Sequence, residues 1–329
     1  MSTFLVIDAP NLFFRSKWVV KGSPEEKASL ALHVILASLG KLWREQKVNH
    51  LVFAFDGKSW RKNIYPPYKA NRTEKRAKLS PTDLAQDQLF FDKFNQFQEF
   101  IQTKTNCTVL YNSNLEADDL IQGFLAANQT DNHIIVSGDK DFEQLLTPQV
   151  SLYDGLTDTT ITLHGIYDKL GKIVMDKKKG IAKIPPNPEW SVFEKAMRGC
   201  STDNVFSAYP GVREKGSKNK IGLREAFQDR HKKGFSWSSM MLSRWTDHLG
   251  VEHRVLDDYN RNVQLVDLTA QPENIRSIID ETVKDACVIK KIPQVGIHFL
   301  RFCGVHELNK ISEQSTIFAE LLSRAYPSS

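Results

Sequence analysis

The first half of the chain alternates short apolar runs with longer segments whose apolar residues recur every three or four positions. The short runs are rich in β-branched and aromatic residues, which is typical of buried strands, and the longer segments have the period of packed helices. The predicted strands are 3–8, 51–56, 108–111, 133–137 and 149–154, and the predicted helices are 25–47, 82–104 and 116–128. Strands that alternate with helices predict an α/β fold with a central, mostly parallel sheet flanked by helices.

The pattern changes after about residue 185. The stretch 184–188 is rich in proline, which is typical of a linker, and the segments that follow have mainly helical periodicity. Helices are predicted over 189–199, 221–231, 236–249 and 252–263. We therefore expect two domains, an α/β domain over 1–185 and a smaller helical domain over 186–329.

Acidic residues cluster where predicted strands end and where one predicted helix begins. These residues are Asp8, Asp56, Glu116, Asp118, Asp119, Asp139 and Asp141. In open α/β sheets, ligands bind outside the carboxyl ends of the strands. The sequence therefore directs carboxylates from four separate segments toward one place.

Crowded carboxylates are costly unless a cation lies between them. Two carboxylates about 4 Å apart repel each other by roughly 4 kcal/mol at an effective dielectric constant near 20. A bound divalent ion reverses this effect, and oxygen ligands favour Mg²⁺ or Mn²⁺ over zinc. Because two such ions in a carboxylate site can cut phosphodiesters, a metal-dependent nuclease is the leading hypothesis.

Each acidic motif also has a plainer interpretation. Asp8 could cap a turn or a helix, and Asp56 precedes a glycine in an ordinary turn dipeptide. The acids of 116–119 could simply stabilise a helix N-terminus, and 138–141 could be a polar turn whose glycine allows close backbone approach. All four interpretations would have to hold at one sheet edge, which favours the metal hypothesis.

Composition narrows the class of protein. The 329 residues are 41% hydrophobic and 25% charged, as in globular proteins, and we expect neither a membrane span nor a secretory signal. Four cysteines without a CxxC pair and nine histidines without HExxH spacing favour a reduced, cytoplasmic protein without zinc.

The net charge is +5, and Lys177, Lys178 and Lys179 form a local basic cluster. We expect a monomer that binds no membrane.

A basic segment with interleaved aromatic residues follows the second predicted strand. Residues 58–78 contain eight Lys and Arg against one acid, together with Trp60, Tyr65 and Tyr68. Cations neutralise phosphates and aromatic rings stack on bases, so this composition fits single-stranded nucleic acid. Prolines at 66 and 67 break any continuous helix, which predicts a two-piece basic arch over 58–80 above the acidic cluster. A solvated surface loop is the alternative.

Together these motifs resemble the 5′-nuclease family, which comprises flap endonucleases, the 5′-exonuclease domains of bacterial DNA polymerases and bacteriophage 5′-exonucleases with RNase H activity. Phe55-Asp56-Gly57 and the stretch 61–72, with its Tyr-Pro-Pro-Tyr-Lys core, resemble the signature of that family. The stretches 116–119 and 137–141 resemble its metal-binding motifs. The similarity is greatest to the stand-alone bacteriophage enzymes.

The resemblance implies roles for individual residues. The first metal site would consist of Asp8, Asp56, Glu116, Asp118 and Asp139, and the second would contain Asp119, Asp141 and Asp203. Both ions would be Mg²⁺, for which Mn²⁺ can substitute. Lys69 and Arg72 would be catalytic, since they would contact the scissile phosphate. The residues expected to bind nucleic acid are Arg61, Lys62, Tyr68, Arg213, Lys215, Lys218 and Lys220.

The resemblance also implies an activity and partners. Residues 199–222 would form a helix–loop–helix element that holds duplex DNA. The enzyme would cleave 5′ single-stranded flaps and 5′ ends of DNA or RNA–DNA hybrid, as in the removal of RNA primers. Its partners would be DNA with a 5′ flap or junction, RNA–DNA hybrid and a single-stranded-DNA-binding protein, in the host cytoplasm if the protein is phage-encoded.

Two departures from the family pattern keep alternatives open. Cys200 occupies an aspartate position of the second metal motif, and thiolate is a poor ligand for Mg²⁺, so the second ion would bind weakly or prefer Mn²⁺. The glycine-rich loop is irregular over 210–222. The alternatives are a catalytically weakened protein that binds branched DNA, a PIN-type ribonuclease and a purely structural α/β protein.

Overall fold

The structure is a computed structural model that describes residues 1–19, 22–218 and 220–327. Contacts divide the chain into two compact units. The first unit comprises Met1–Ser59, Leu79–Pro185 and Glu273–Ser329, and the second comprises Trp60–Lys78 and Pro186–Pro272.

Strands and helices alternate in the first half of the chain, and helices dominate the second. The strands are β1 (Thr3–Asp8), β2 (His50–Ala54), β3 (Thr108–Leu110), β4 (Asn132–Val136), β5 (Val150–Asp154), β6 (Thr159–Ile161), β7 (Ile166–Asp168), β8 (Met175–Asp176), β9 (Ile181–Ala182), β10 (Arg244–Thr246) and β11 (Glu252–Arg254). The helices are α1 (Ala9–Val19), α2 (Pro24–Gln46), α3 (Arg61–Ile64), α4 (Ala70–Ala77), α5 (Pro81–Lys104), α6 (Ala117–Ala127), α7 (Pro188–Arg198), α8 (Leu223–Asp229), α9 (Phe235–Leu242), α10 (Val255–Val266), α11 (Glu273–Ala286), α12 (Val295–Val305), α13 (Asn309–Ser312) and α14 (Ser315–Ser323), and a 3₁₀ helix spans Lys140–Leu145. None of these described helices is long and apolar enough to cross a membrane.

The first unit is built on a seven-stranded sheet with the strand order β3-β2-β1-β4-β5-β6-β7. The strands from β3 to β5 are parallel, whereas β6 and β7 continue the sheet as antiparallel strands. Leu5 of β1 pairs with Leu51 of β2 on one side and with Ile134 of β4 on the other. The predicted mostly parallel sheet is therefore confirmed, and β1 lies between the two strands that lead into the other acidic motifs.

Helices cover both faces of this sheet. On one face, α2, α5, α12 and α14 enclose the large core that contains Leu5 and Ile7. On the other face, Phe124 of α6 contacts Phe4 with ring centroids 5.3 Å apart, and α11 packs on α6. Because the strands are buried on both faces, their sequences are nearly continuous apolar runs rather than alternating patterns.

The second unit is mainly helical. Helices α7 to α10 surround one core, whose buried residues include Trp190, Phe193, Met197, Leu223, Met240 and Val255. A second, smaller core contains Tyr68 together with Ala196, Val205, Leu265 and Val266. The short helices α3 and α4 belong to this unit and lie on either side of the prolines at 66 and 67. The role of the 58–80 segment as an arch stays a prediction.

The compact units differ from the expected domains in two places. The helices after Glu273 belong to the first unit, because Ile279 and Val283 of α11 lie against α6 and because α12 and α14 complete the large core. The segment Trp60–Lys78 belongs to the second unit. Both placements depend on contacts between residues far apart in sequence, which local periodicity does not reveal.

One predicted helix is wrong in its second half. The helix expected over 236–249 ends at Leu242, and β10 and β11 form a hairpin in which the rings of Trp245 and His253 stack with centroids 4.4 Å apart. The helix expected from residue 252 begins at Val255. The helix α1 and the strands β6 to β9 have no counterpart among the predicted elements.

The contact between α6 and α11 predicts a stability effect at Gly123. An added Cβ atom would overlap Ile279 Cγ2, so Gly123→Ala must displace one helix from the other. We expect it to lower the free energy of unfolding by about 1–3 kcal/mol, as overpacking does, in urea denaturation. Gly304→Ala in α12 is the control, because its added Cβ meets no described atom within 4 Å, and it should stabilise by up to about 1 kcal/mol. Equal effects of both substitutions would contradict this packing.

Candidate functional site

Three neighbouring strands of the first unit lead into acidic residues at the same sheet edge. β1 ends at Asp8, Asp56 follows β2 by two residues, and Asp139 follows β4 by three. Asp8 is buried, and its carboxylate accepts hydrogen bonds from Ser137 Oγ at 2.7 Å and from the backbone N–H of Asn11 at 3.2 Å. Its side chain therefore lies between the ends of β1 and β4, and it also caps the first turn of α1.

The start of α6 adds three acids to this edge. The backbone N–H of Ala117 donates to Asp56 Oδ1 at 2.9 Å, and Ser59 Oγ donates to Glu116 Oε2 at 2.6 Å. Asp119 is fully buried and accepts a hydrogen bond from the backbone N–H of Glu116. These bonds connect the end of β2 directly to the helix start. These carboxylates therefore stabilise the start of the helix, as the plainer interpretation expects. They also lie at the sheet edge where the metal hypothesis expects the acids to meet.

The loop after β4 orders the carboxylate of Asp139. Ser137 Oγ accepts a hydrogen bond from the backbone N–H of Asp139, and Asp139 Oδ1 accepts one from the backbone N–H of Asp141 at 2.9 Å. The side chain of Asp139 thus caps the 3₁₀ helix that begins at Lys140. The Asp139 carboxylate is therefore fixed by local backbone geometry, and its charge acts on the buried Asp8.

Electrostatics at this edge confirm that the carboxylates are crowded. Burial is the main cause that raises the pKa of Asp8 to about 7, with the charges of Asp56 and Asp139 contributing and the hydrogen bonds from Ser137 and Asn11 opposing them. Burial also raises the pKa of Glu143, with Asp141 and Asp139 contributing. A carboxyl whose charge is disfavoured by burial and by like charges is stabilised in its ionised form by a nearby cation.

The donor set fits a hard divalent cation, although the side chains are not arranged as a finished coordination sphere. Within 1–19, 22–218 and 220–327, no group of three or more His, Cys, Asp or Glu side chains is gathered closely enough to hold an ion. Several carboxylate oxygens instead accept the hydrogen bonds described above, from Ser59, Ser137 and backbone amides. Binding an ion at this edge therefore requires some of these side chains to turn toward it.

A cation of the first unit that the sequence analysis missed lies beside the Asp139 loop. Arg15 of α1 pairs with Asp154 at 3.3 Å, and its guanidinium occupies the space where a side chain at Gly138 would begin. Gly138 was the signal in the sequence that could have found Arg15, because a glycine lets another group approach the backbone closely. The sequence did not show which group that is. The structure identifies that partner as Arg15.

In the second unit, Asp203 is surrounded by cations. Its carboxylate lies 2.9 Å from Arg72 Nη2, 3.8 Å from Lys69 Nζ and 3.6 Å from Lys195 Nζ. The sequence analysis assigned Asp203 to a metal and missed Lys195. Here the carboxylate is paired with the two predicted catalytic residues, so it holds part of the arch segment in place.

Backbone hydrogen bonds tie the same two segments together. The N–H of Lys69 donates to the carbonyl of Asp203 at 2.8 Å, and Asn204 Nδ2 donates to the carbonyl of Pro67 at 2.8 Å. Lys69 has φ +53°, a left-handed conformation that is uncommon for a residue with a side chain. Such conformations persist where surrounding contacts impose them, and here the loop around Asp203 does so.

Cys200 contacts the same carboxylate. Its Sγ lies 2.9 Å from Thr202 Oγ1 and 3.4 Å from Asp203 Oδ2. The Cys200 thiol thus donates to the Asp203 carboxylate. Its effect on a second metal site stays a prediction.

Two residues predicted to contact nucleic acid are instead structural. Arg61 is 1% exposed, and its Nε donates to the carbonyl of Leu265 at 2.9 Å while its guanidinium lies over the ring of Trp60. Tyr68 is 5% exposed and packs in the smaller core of the second unit. The prediction for these two side chains is corrected, because burial removes them from the surface. Lys62 is exposed, and its contact with nucleic acid stays a prediction.

The structure brings the predicted basic residues of the 210–222 loop together. Arg213, Lys215, Lys218 and Lys220 line one open cavity of about 650 Å³. The N–H groups of Gly216 and Gly222 both donate to Glu225 Oε2, at 3.0 and 2.9 Å. The backbone amides that a glycine-rich loop could offer to an ion are thus directed at a carboxylate. Asn219 lies outside the described residues, and the helix–loop–helix function of 199–222 stays a prediction.

The fold and the site together define the class of protein. It is an α/β protein in which acidic side chains lie at the carboxyl edge of a mostly parallel sheet with helices on both faces. A sequence model of the family described as "5′-3′ exonuclease, N-terminal resolvase-like domain" matches residues 3–171. This match spans half of the chain, and we conclude that the protein belongs to the 5′-nuclease family.

Relatives and solved structures agree with this assignment. Flap endonuclease Xni of Shewanella putrefaciens is 30% identical over 236 residues, which cover 66% of this chain and 83% of the relative. DNA polymerase I of Rhizobium leguminosarum is 27% identical over 267 residues, but this chain spans only 22% of its length. Two solved structures are similar to this chain: the T5 5′-exonuclease with bound zinc, and a T5 flap endonuclease complex with DNA and metal ions. Each superposes with a TM-score of 0.59 at 20% identity and covers 86% of this chain. The match covers 99% of the exonuclease chain and 98% of the flap endonuclease chain. At this identity the structural likeness establishes the fold.

Arg15 and Gly138 provide a test of the acidic edge. Gly138→Ala should displace the guanidinium, and because the Arg15 pair is partly exposed we expect a stability loss of about 1 kcal/mol or less. We expect Gly138→Ala and Arg15→Ala to lower nuclease turnover by about the same factor. The variant that combines both substitutions should show no further loss of turnover. Turnover on a 5′-flap duplex and thermal melting measure both quantities. Additive losses of turnover would show that Gly138 does not act through Arg15.

Arg61 and Lys62 should give opposite results. Arg61→Met removes a buried donor, so we expect unfolding to become easier by about 1–3 kcal/mol, with duplex affinity unchanged at a temperature where the variant is folded. The exposed neighbour Lys62→Met should leave stability within about 0.5 kcal/mol and weaken duplex binding. Chemical denaturation and fluorescence anisotropy make the comparison. Weaker binding by Arg61→Met at unchanged stability would restore Arg61 to the nucleic-acid contacts.

Proposed function

We propose that this protein is a structure-selective 5′-3′ nuclease that hydrolyses phosphodiesters at 5′ single-stranded flaps and 5′ ends. The observation that supports it most is the convergence of acids from β1, β2, β4 and the start of α6 at one sheet edge of a 5′-nuclease family member. Burial and like charges raise the pKa of Asp8 there. A protein without a cation to bind at this edge would gain stability from neutral residues instead.

The proposal includes two divalent ions, Mg²⁺ or in its place Mn²⁺. The first would be held by Asp8, Asp56, Glu116, Asp118 and Asp139, and the second by Asp119 and Asp141, with Asp203 as the predicted third ligand. Bound divalent ions supply a hydroxide near neutral pH and stabilise the leaving oxygen. The oxygen-only donor set favours this choice, and among solved structures of the same fold one T5 5′-exonuclease contains divalent zinc and a T5 flap endonuclease complex contains metal ions.

The chain's own cations would act on the substrate. We assign Lys69 and Arg72 to the scissile phosphate, where they would offset the charge that develops during cleavage. Their present pairing with Asp203 keeps both side chains together. An incoming phosphate would compete with that carboxylate for the same donors. Asp203 holds these arch cations in the structure, and its role as a metal ligand stays part of the proposal.

Duplex binding is assigned to the basic cavity of the second unit and to Lys62. The cavity residues Arg213, Lys215, Lys218 and Lys220 would grip phosphates, which carry no base sequence. Recognition by backbone and junction shape would extend to RNA–DNA hybrid, which is consistent with removal of RNA primers in replication. Flap endonuclease relatives support the flap substrate. The monomeric state, the cytoplasmic location and a single-stranded-DNA-binding partner are further parts of the proposal.

A catalytically weakened junction-binding protein is the second candidate, because one observation favours it. Cys200 stands where the family pattern has an aspartate, and the carboxylate left at this motif, Asp203, lies among three cations. The PIN-type alternative is set aside, since the chain belongs to the 5′-nuclease family. Both candidates would bind branched DNA, but the weakened junction-binding protein would cleave it far more slowly than the nuclease.

A cleavage assay decides between them. We expect a 5′-labelled flap duplex and a matching RNA–DNA hybrid to be cut near the junction in Mg²⁺ or Mn²⁺ and to stay intact in EDTA. Asp139→Asn should lower the rate by at least about a hundredfold, in the range of losses found when charge stabilisation is removed from an active site, while junction binding in Ca²⁺ is retained. Tight binding without cleavage in either metal would instead establish the weakened junction-binding protein.

A further inference from the structure

An antiparallel meander extends the far edge of the first unit's sheet. After β7, the chain turns at 169–171 and runs back, with Ile173 bridged to Tyr167 and the N–H of Val174 donating to the carbonyl of Ile166 at 2.8 Å. It continues as β8, turns at 177–180 and returns as β9. The nuclease function proposed above does not use this meander, which comprises residues 166–184.

One face of the meander is aliphatic and exposed. Met175 lies directly opposite Ala182, so both side chains are on the same face, and alternation along the strands adds Ile173 and Ile184. The exposed fractions are 51% for Ile173, 49% for Met175 and 79% for Ile184. Exposed aliphatic side chains that adjoin one another mark an interaction surface rather than a solvated ribbon.

Lysines surround this aliphatic face. Between residues 168 and 184 the sequence has six lysines and two aspartates, a net charge of +4, compared with +5 for the whole protein. Both aspartates are engaged in turns, since Asp168 Oδ1 accepts from the N–H groups of Leu170 and Lys172, and Asp176 Oδ1 from those of Lys178 and Lys179. The lysines are all exposed, with Lys169 and Lys172 at one turn and Lys177, Lys178 and Lys179 at the other.

The charge and the side-chain types of the meander indicate which kind of partner would bind to it. A second copy of the chain would bring an equally positive meander, so like charges oppose self-association. Single-stranded nucleic acid would find the cations, but base stacking uses exposed aromatic rings. Tyr167, which lies opposite Ile173 on this face, is half-buried, whereas the exposed side chains are aliphatic. An apolar segment without charge would leave the lysines unused. A segment that is both apolar and acidic matches the two features together.

We propose that the meander is a docking surface for an acidic, apolar segment of another protein. The segment lies extended along the aliphatic face of Ile173, Met175 and Ile184, and its carboxylates pair with the lysines of the two turns. The turns are separated by the length of residues 172–176, about 17 Å at 3.3–3.4 Å per residue. Acids at both ends of a central apolar stretch of about five residues would therefore reach both groups of lysines.

The contact is small and transient. Few side chains take part, so the area buried is below that of a standard stable complex. The charge pairs are exposed, which makes the affinity dependent on salt. This is the behaviour of a tether that brings the protein to a partner and releases it again.

The test uses a synthetic probe, a fluorescein-labelled peptide in which Asp–Glu pairs flank Leu-Thr-Ile-Thr-Phe. We expect saturable binding to the full-length protein in fluorescence anisotropy, with affinity that falls as salt rises. Ile173→Ser with Met175→Ser, and separately Lys177→Glu with Lys178→Glu and Lys179→Glu, should each weaken binding at least about tenfold, or about 1.4 kcal/mol. The matched controls are Leu156→Ser and Lys104→Glu, which change an exposed aliphatic and an exposed lysine elsewhere in the same unit and should leave affinity within about twofold.

Other outcomes overturn the proposal. Peptide binding that is unaffected in both meander variants, or equal binding of a peptide with Lys in place of the acids, would rule out this surface. Loss of single-stranded oligonucleotide affinity in the meander variants, with peptide affinity intact, would make the meander a nucleic-acid contact. A dimer in sedimentation that the Ile173→Ser with Met175→Ser variant abolishes would make it a self-association face. Circular dichroism and flap cleavage at wild-type rates show that the variants are folded.

Discussion

The crowding of carboxylates at one edge of a parallel sheet is the constraint on which the rest of the structure depends. Asp8 is buried beside the strands that lead into Asp56 and Asp139, and burial together with these charges raises its pKa to about 7. Hydrogen bonds from Ser137, Ser59 and the start of α6 hold the acids in place without removing their mutual repulsion. Such an arrangement is stabilised by a divalent cation, and this is the physical basis of the phosphodiester chemistry proposed for the edge.

Much of this edge could be predicted from the sequence because its causes are local. Apolar runs fix the strands, parallel connections bring their carboxyl ends to one edge, and the acids follow the strands within three residues. The same reasoning gives the two-piece arch segment from its prolines. It places the acids at one sheet edge, but it does not show that the carboxylates are held by hydrogen bonds rather than arranged around an ion.

The remaining features depend on contacts that no local pattern contains. The helices after Glu273 return to complete the core of the first unit, and Arg61 turns inward to the carbonyl of Leu265, over two hundred residues away. Arg15 beside Gly138 is a pairing of the same kind. A basic residue in a basic segment is equally compatible with a phosphate contact and with a buried hydrogen bond, so composition misassigns Arg61. Charge pattern alone likewise does not show that Asp203 holds Lys69 and Arg72.

Metal binding measured without substrate tests the central claim most directly. Electron paramagnetic resonance can count the Mn²⁺ ions bound by wild-type protein and by Asp8→Asn, which preserves side-chain size and an acceptor for Ser137. The account predicts that the wild type binds Mn²⁺ and that the variant, while still folded, loses at least one ion. Equal Mn²⁺ binding by the two proteins would contradict the assignment of this sheet edge to a metal site.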